Sequence, residues 1–256
     1  MGYRTSEKLP FIKKAPNDDG LYNDFYSEAL RRIGCKLIIT RKPKKRILRD
    51  LKNGRIDFYP VLTETKDRYK YINFHSIGIP SLDVAIVRKE TIHINKEKLV
   101  LVKPLGAPNV EFLNFKIYRQ SPELSISKAI KAIIDKKADI YIDEWINIIY
   151  LLSKDEDKTK FKIHYDCCKG LKFLTLGFSK ESKLYFEKNN KTFVNVSTSS
   201  RVDDFLEAIN SMKEDGTTEA IFKHYFKFSL KKIIKADQSQ PTINQIFINN
   251  YYTDKE

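Results

Sequence analysis

Apolar positions along this chain switch between strand-like runs and helical stripes, and the series occurs twice. Residues 2–5 read as a first strand, with Pro10-Phe11 closing the loop after it. Asp18-Asp19-Gly20 signals a turn. Leu21, Tyr22, Phe25, Ala29, Leu30 and Ile33 then fall on one helical face, and Gly34 supplies a stop. Residues 35–40 (CKLIIT) predict a strand. A second helix is predicted from Pro43, with Ile47, Leu48 and Leu51 inward and Gly54 as its end. Residues 54–74 read as strand, polar turn, strand, and residues 81–87 as another strand. The order strand, helix, strand, helix, strand predicts a parallel α/β sheet.

A second series follows. Residues 99–102 predict a strand, 104–108 a tight turn, 110–113 a short helix and 115–118 a strand. A helix is predicted over 126–136, with Ile126, Ala129, Ile130, Ile133 and Ile134 inward. A strand over 139–142 ends in Asp143-Glu144, before a helix over 145–152 and a strand over 161–164. Residues 171–179 predict a long returning strand. Residues 182–199 are polar and fit a hairpin insertion. A helix capped by Ser199 or Ser200 buries Val202, Phe205, Leu206, Ile209 and Met212 and ends at Asp215-Gly216. A short helix over 218–226 and a polar tail from about 236 complete the chain. Two series joined near Val87 and rejoined near 171–179 predict two lobes with two crossing strands. Such a layout places a ligand cleft between the lobes and permits hinge closure.

Composition narrows the function classes. The 256 residues, 41% hydrophobic and 31% charged, suffice for a core and argue against wholesale disorder. No apolar run approaches the roughly 18 residues of a membrane span. The first ten residues lack the apolar core of a cleavable signal, so the chain reads as cytosolic or as a trimmed mature sequence. The net charge of +14 can draw in anions. The basic runs, Arg41-Lys42-Pro43-Lys44-Lys45-Arg46 and Lys231-Lys232, are short and lack interleaved aromatics, which points away from nucleic acid. A chain rich in Lys, Ile and Asn also carries such charge through composition alone. Three cysteines, Cys35 and Cys167-Cys168, make no disulfide framework. Four scattered histidines give no metal spacing. No metal and no cofactor is expected.

The chemistry concentrates at Thr65-Lys66-Asp67-Arg68. A guanidinium is planar, permanently charged and forked to match a carboxylate. Arg68, beside the hydroxyls of Thr63 and Thr65 at a strand end, would make an anion clamp. Alone, such a residue is more often a solvated surface arginine.

These segments together resemble the family 3 extracellular solute-binding proteins, the receptors of polar amino acid ABC importers. The resemblance rests on Pro10-Phe11, on Gly20-Leu21-Tyr22-Asn23-Asp24 leading to Arg32-Ile33-Gly34, and on Leu51-Lys52-Asn53-Gly54-Arg55-Ile56-Asp57. It continues through Thr65-Lys66-Asp67-Arg68, Ile72-Asn73-Phe74, Lys136-Lys137-Ala138-Asp139, Asp143-Glu144 and Lys213-Glu214-Asp215-Gly216-Thr217. It implies a two-lobed α/β fold of the type II periplasmic-binding-protein kind. Residues 1–88 and 173–235 would form lobe 1, residues 89–172 lobe 2 and residues 236–256 a tail. It implies that Arg68 holds a ligand α-carboxylate, that Thr63 shares that task, and that Phe11 packs on the ligand side chain. A carboxylate at the helix start after Asp139 would hold an α-ammonium. Ungapped spacing favours Glu144, and side-chain length favours Asp143. The pair also fits an acidic helix start that favours the macrodipole.

The resemblance further implies a monomer that is periplasmic or on the extracellular surface, with an ABC permease as partner and no nucleic acid. Three features depart from the family. Gly106-Ala107-Pro108 replaces a glycine followed by a hydroxyl residue. Pro60-Val61 replaces small polar residues in a shortened Asp57–Arg68 interval. The insertion at 182–199 and the tail have no counterpart. Two other functions share the fold: a cyclohexadienyl dehydratase-like enzyme using Asp143 or Glu144 as general acid, and a sensor or orphan solute-binding domain.

Overall fold

The computed structural model describes residues 1–90, 99–103, 116–119, 124–152, 159–164, 171–185, 200–227 and 229–230. The Gly106 turn, the helix expected at 110–113, Cys167-Cys168, most of the 182–199 insertion and the tail lie outside the described residues.

The first half opens with β1 (Gly2–Tyr3), α1 (Leu21–Arg32), β2 (Thr40–Arg41) and α2 (Lys44–Lys52). It continues with β3 (Phe58–Tyr59), a 3-10 turn at Arg68–Lys70 and β4 (Ile72–Ser81). The helical stripe read from α1 is the buried face, with Leu21, Tyr22, Phe25, Tyr26, Ala29 and Leu30 inward. Residues 35–39 are not the strand that their composition predicts. Pairing is confined to Gly2 with Thr40 and Tyr3 with Arg41, in parallel, and Ile38 is 73% exposed. A strand needs a partner of matching length, and β1 offers two residues.

Gly54 adopts a positive φ of 64° past the end of α2. A Cβ there would stand 2.3 Å from the Glu181 carbonyl oxygen. The chain thus turns from α2 into β3 in a space that only glycine fits.

The second half contains β5 (Asp83–Arg88), β6 (Val100–Lys103), β7 (Lys116–Arg119), α3 (Ile126–Ile134), β8 (Ile140–Glu144), α4 (Trp145–Leu152) and β9 (Phe161–His164). Its five-stranded sheet has the order β7-β6-β8-β5-β9. There β6 runs parallel to β7 and β8, whereas β5 is antiparallel to β8 and β9. Then β10 (Lys172–Ser179) returns and inserts between β3 and β4, antiparallel to both.

The first lobe is therefore not the purely parallel sheet that the strand–helix alternation predicts. Its return strand arrives from the other lobe and runs against its neighbours. The chain also enters the second sheet at Asp83, because β5 pairs wholly within it. The crossover between the two sheets falls at Leu82.

Two helices close the first lobe, α5 (Arg201–Glu214) and α6 (Thr217–Phe226). An aromatic cluster binds these layers. Phe58 stacks on Phe178 with centroids 5.7 Å apart, and Phe205 lies 5.4 Å from Phe58. Helix α5 starts at Ser200, whose hydroxyl accepts from the Asp203 N–H at 3.2 Å while Asp203 Oδ2 accepts from the Ser200 N–H at 2.9 Å. This reciprocal box satisfies two donors that the helix start would otherwise strand. Ser200→Ala should lower stability by about 1 kcal/mol, seen as a lower urea midpoint with an unchanged slope.

Candidate functional site

Four segments meet where the lobes face each other: the loop after β1, the start of α2, the turn after β3 and the β8–α4 junction. Thr65 builds the turn. Its carbonyl accepts from the N–H groups of Arg68 at 3.0 Å and Tyr69 at 3.1 Å, and its hydroxyl lies 3.4 Å from the Arg68 nitrogen. The turn folds Arg68 inward to 6% exposure, and its Nη1 donates to the Thr63 carbonyl at 2.6 Å. Burial lowers the Arg68 pKa below the ordinary arginine value, against the opposing influence of Tyr71 and Tyr59. Thr63 touches Arg68 through its backbone, and its side chain lies on an exposed residue.

Strand β8 delivers Asp143 and Glu144 together. Asp143 Oδ1 accepts from Asn147 Nδ2 at 2.9 Å and from the Glu144 N–H at 2.7 Å, and Oδ2 accepts from the Tyr141 hydroxyl. The carboxylate of Glu144 turns toward the first lobe, where Lys8 Nζ lies 3.1 Å from its Oε2 and 4.0 Å from Asp143 Oδ1. Burial raises the Glu144 pKa, opposed by Lys8 and reinforced by Asp143 and Asp83. The Lys8 pKa is raised in turn, because Glu144 and Asp143 outweigh the effect of burial. The junction is anchored at the crossover, where the Trp145 N–H donates to the Leu82 carbonyl at 2.7 Å.

Phe11 is fully buried. Its ring packs 4.9 Å from Tyr22 and 5.6 Å from Phe226, and Lys8 Nζ lies 5.4 Å from its centroid. The structure thus brings Arg68, Asp143 and Glu144 to the interlobe face and sets Phe11 beneath Lys8.

Three cations at this face escape a reading by motif. Lys8 crosses between the lobes. Arg4, just past β1, is 7% exposed, and its Nε has no hydrogen-bond partner among the described residues. The Arg4 pKa is nonetheless raised: burial lowers it, but Tyr3, Tyr59, Tyr141 and Asp143 outweigh burial. Lys44 is the first residue of α2, a half-buried cation where a helix favours anions, and no acidic residue stands in that first turn. That local conflict is legible in the sequence and marks a position held for another purpose. The Lys44 pKa falls to about 7 through burial and the repulsion of Arg4, Arg68 and Lys8, against the attraction of Asp143. Among the described residues no three His, Cys, Asp or Glu side chains gather as metal ligands, and no helix is long and apolar enough to cross a membrane.

A lysine with a depressed native pKa binds fewer protons folded than unfolded, so its penalty is full below about 7 and fades up to the ordinary value of 10.5. Lys44→Met should remove that part of the pH dependence. Calorimetric melting temperatures of the unliganded variant should exceed those of the parent most at pH 6, with the gap closing by pH 10.

Comparisons with known proteins bear on the fold. The ligand-binding core of GluR0 from Nostoc punctiforme, solved with L-glutamate, superposes with a TM-score of 0.68 at 17% identity, covering 88% of this chain and 98% of that one. ArtJ from Geobacillus stearothermophilus, an arginine-, lysine- and histidine-binding protein, gives 0.68 at 16% identity, covering 89% and 94%. AncCDT-1, an ancestral amino acid-binding protein and precursor of cyclohexadienyl dehydratase, gives 0.65 at 18%, covering 88% and 93%. At these identities the likeness shows the fold, a two-lobed α/β fold of the type II periplasmic-binding kind. No curated protein sequence matches the chain. The model of the bacterial extracellular solute-binding proteins, family 3, matches residues 3–228, so the chain belongs to that family.

Proposed function

We propose that this protein captures a small carboxylate-bearing solute between its lobes and delivers it to an ABC importer, with no bond broken. The observation that carries the reading is Arg68, a guanidinium folded inward by the Thr65 turn at the face where the lobes meet. An incoming carboxylate would offset the desolvation that lowers its pKa, through a forked, charge-assisted pair. Thr63 supports the clamp by fixing Nη1. Asp143 and Glu144 oppose it from the second lobe, and Phe11 backs Lys8 between them.

In this reading residues 1–82 with the return strand and α5–α6 form one lobe, and the segment from β5 to β9 forms the other. A ligand touching both favours the closed arrangement by its differential contacts. The family membership supports an extracellular or periplasmic place of action and a permease partner.

A dehydratase-like reading has one observation in its favour, the raised pKa of the buried Glu144, which suits a general acid. The Lys8 ammonium at 3.1 Å works against it by favouring the carboxylate. Release of phenylpyruvate from prephenate by the purified chain would decide for the enzyme.

Arg68→Ala should weaken binding of the carboxylate solute by roughly a hundredfold or more, the scale for removing one partner of a buried charge pair. The melting temperature of the unliganded protein should stay nearly unchanged. Titration calorimetry and thermal unfolding check both, and a collapse of the empty protein would make Arg68 a structural residue instead.

A further inference from the structure

The acidic pair that would receive a ligand ammonium already faces an ammonium of this chain. Lys8 Nζ lies 3.1 Å from Glu144 Oε2 and 4.0 Å from Asp143 Oδ1. It is held there rather than swinging in solvent: its side chain is 12% exposed and its Nζ stands over the Phe11 ring. The Asp143 oxygens are further taken up by Tyr141, Asn147 and the Glu144 N–H. A second ammonium at this corner would meet Lys8 at contact distance, as like charge against like.

The charge beyond the Lys8 corner is positive. It comes from Arg4, Arg68 and Lys44, and Lys44 feels Arg4, Arg68 and Lys8 against the attraction of Asp143. Arg4 carries an additional sign of an absent acceptor. It is 7% exposed, its Nε is sealed from solvent without a hydrogen-bond partner among the described residues, and the groups around it are the phenols Tyr3, Tyr59 and Tyr141 besides Asp143. A buried donor of this kind is costly unless something accepts from it.

We propose that the interlobe site takes a small dicarboxylate without an ammonium group, one carboxylate on Arg68 and the other between Arg4 and Lys44. Lys8 stands in for the ligand amine as the ammonium that Asp143 and Glu144 hold between them. This rests on the carboxylate-capture reading above and narrows it: charge complementarity selects a dianion, and like-charge repulsion at Lys8 rejects the amino acid of the same skeleton.

Titration calorimetry on the full chain tests it, with dicarboxylates from malonate to adipate compared with L-aspartate, L-glutamate, L-glutamine and L-arginine. The expected result is that one dicarboxylate binds at least tenfold more tightly than its amino counterpart, glutarate against L-glutamate for example, and that L-arginine gives no heat. Equal or tighter binding of the amino acid overturns the proposal while leaving carboxylate capture intact. Silence across the whole panel overturns both. Lys8→Met should uncover the acidic pair and shift the ratio at least tenfold toward L-glutamate, and an unchanged ratio in the folded variant would count against the role given to Lys8. Arg4→Met should weaken the dicarboxylate by tenfold or more while changing a monocarboxylate little. If either variant fails to fold, the comparison on the parent chain still decides.

Discussion

Cations held close together away from water are the constraint around which the interlobe face is arranged. Burial disfavours every charged form, and each neighbouring cation adds to the cost. The protein meets that cost locally rather than by removing the charges. The Thr63 carbonyl accepts from Arg68, and Glu144 with Asp143 holds Lys8. Tyr3, Tyr59 and Tyr141 favour the charge on Arg4 electrostatically. Lys44 yields most, its pKa brought down to about 7. Such an arrangement is expensive in the empty protein and complementary to an anion, the pattern of a site whose binding energy is stored in its electrostatics.

The same groups are tied to the segments that join the two sheets. Strands β4 and β10 run antiparallel over most of their length, and each leads into the other lobe. At the crossover Leu82 receives the Trp145 N–H, and Asp83, the first residue of β5, meets both Lys172 on the second crossing and Glu144 in the ladder. The acidic pair thus sits directly at the crossing between the two sheets. Lys8 reaches it from the first lobe, so an ion pair of the chain itself spans the two bodies. The closure that the proposed capture requires would act on this pair.

Much of the fold was legible in the amino acids. The stripes of α1, α2, α3 and α5 follow the buried faces except at Ile134, read as inward but 38% exposed at the end of α3, and the stops at Gly34, Gly54 and Gly216 all take positive φ. The two-lobe layout followed from the repeated strand–helix order and the long return strand. The misread stretch at 35–39 and the antiparallel setting of β10 share a cause. A strand's partner and direction depend on segments far away in the chain, and local periodicity carries neither.

At the site, sequence determined which groups were available. A guanidinium beside threonines, an adjacent Asp-Glu pair at a strand end and a lysine at a helix start are all visible as chemistry in the chain. Tertiary structure decided which of them meet. Only folding brings Lys8 across to Glu144, turns Phe11 into the floor beneath that lysine, and sets Arg4, Lys44 and Arg68 close enough to repel one another. Charge interactions depend on distance and burial, and both are properties of the folded chain. Arg68 thus passes from one basic residue among many to a buried guanidinium held by the Thr63 carbonyl, because of what the fold places around it.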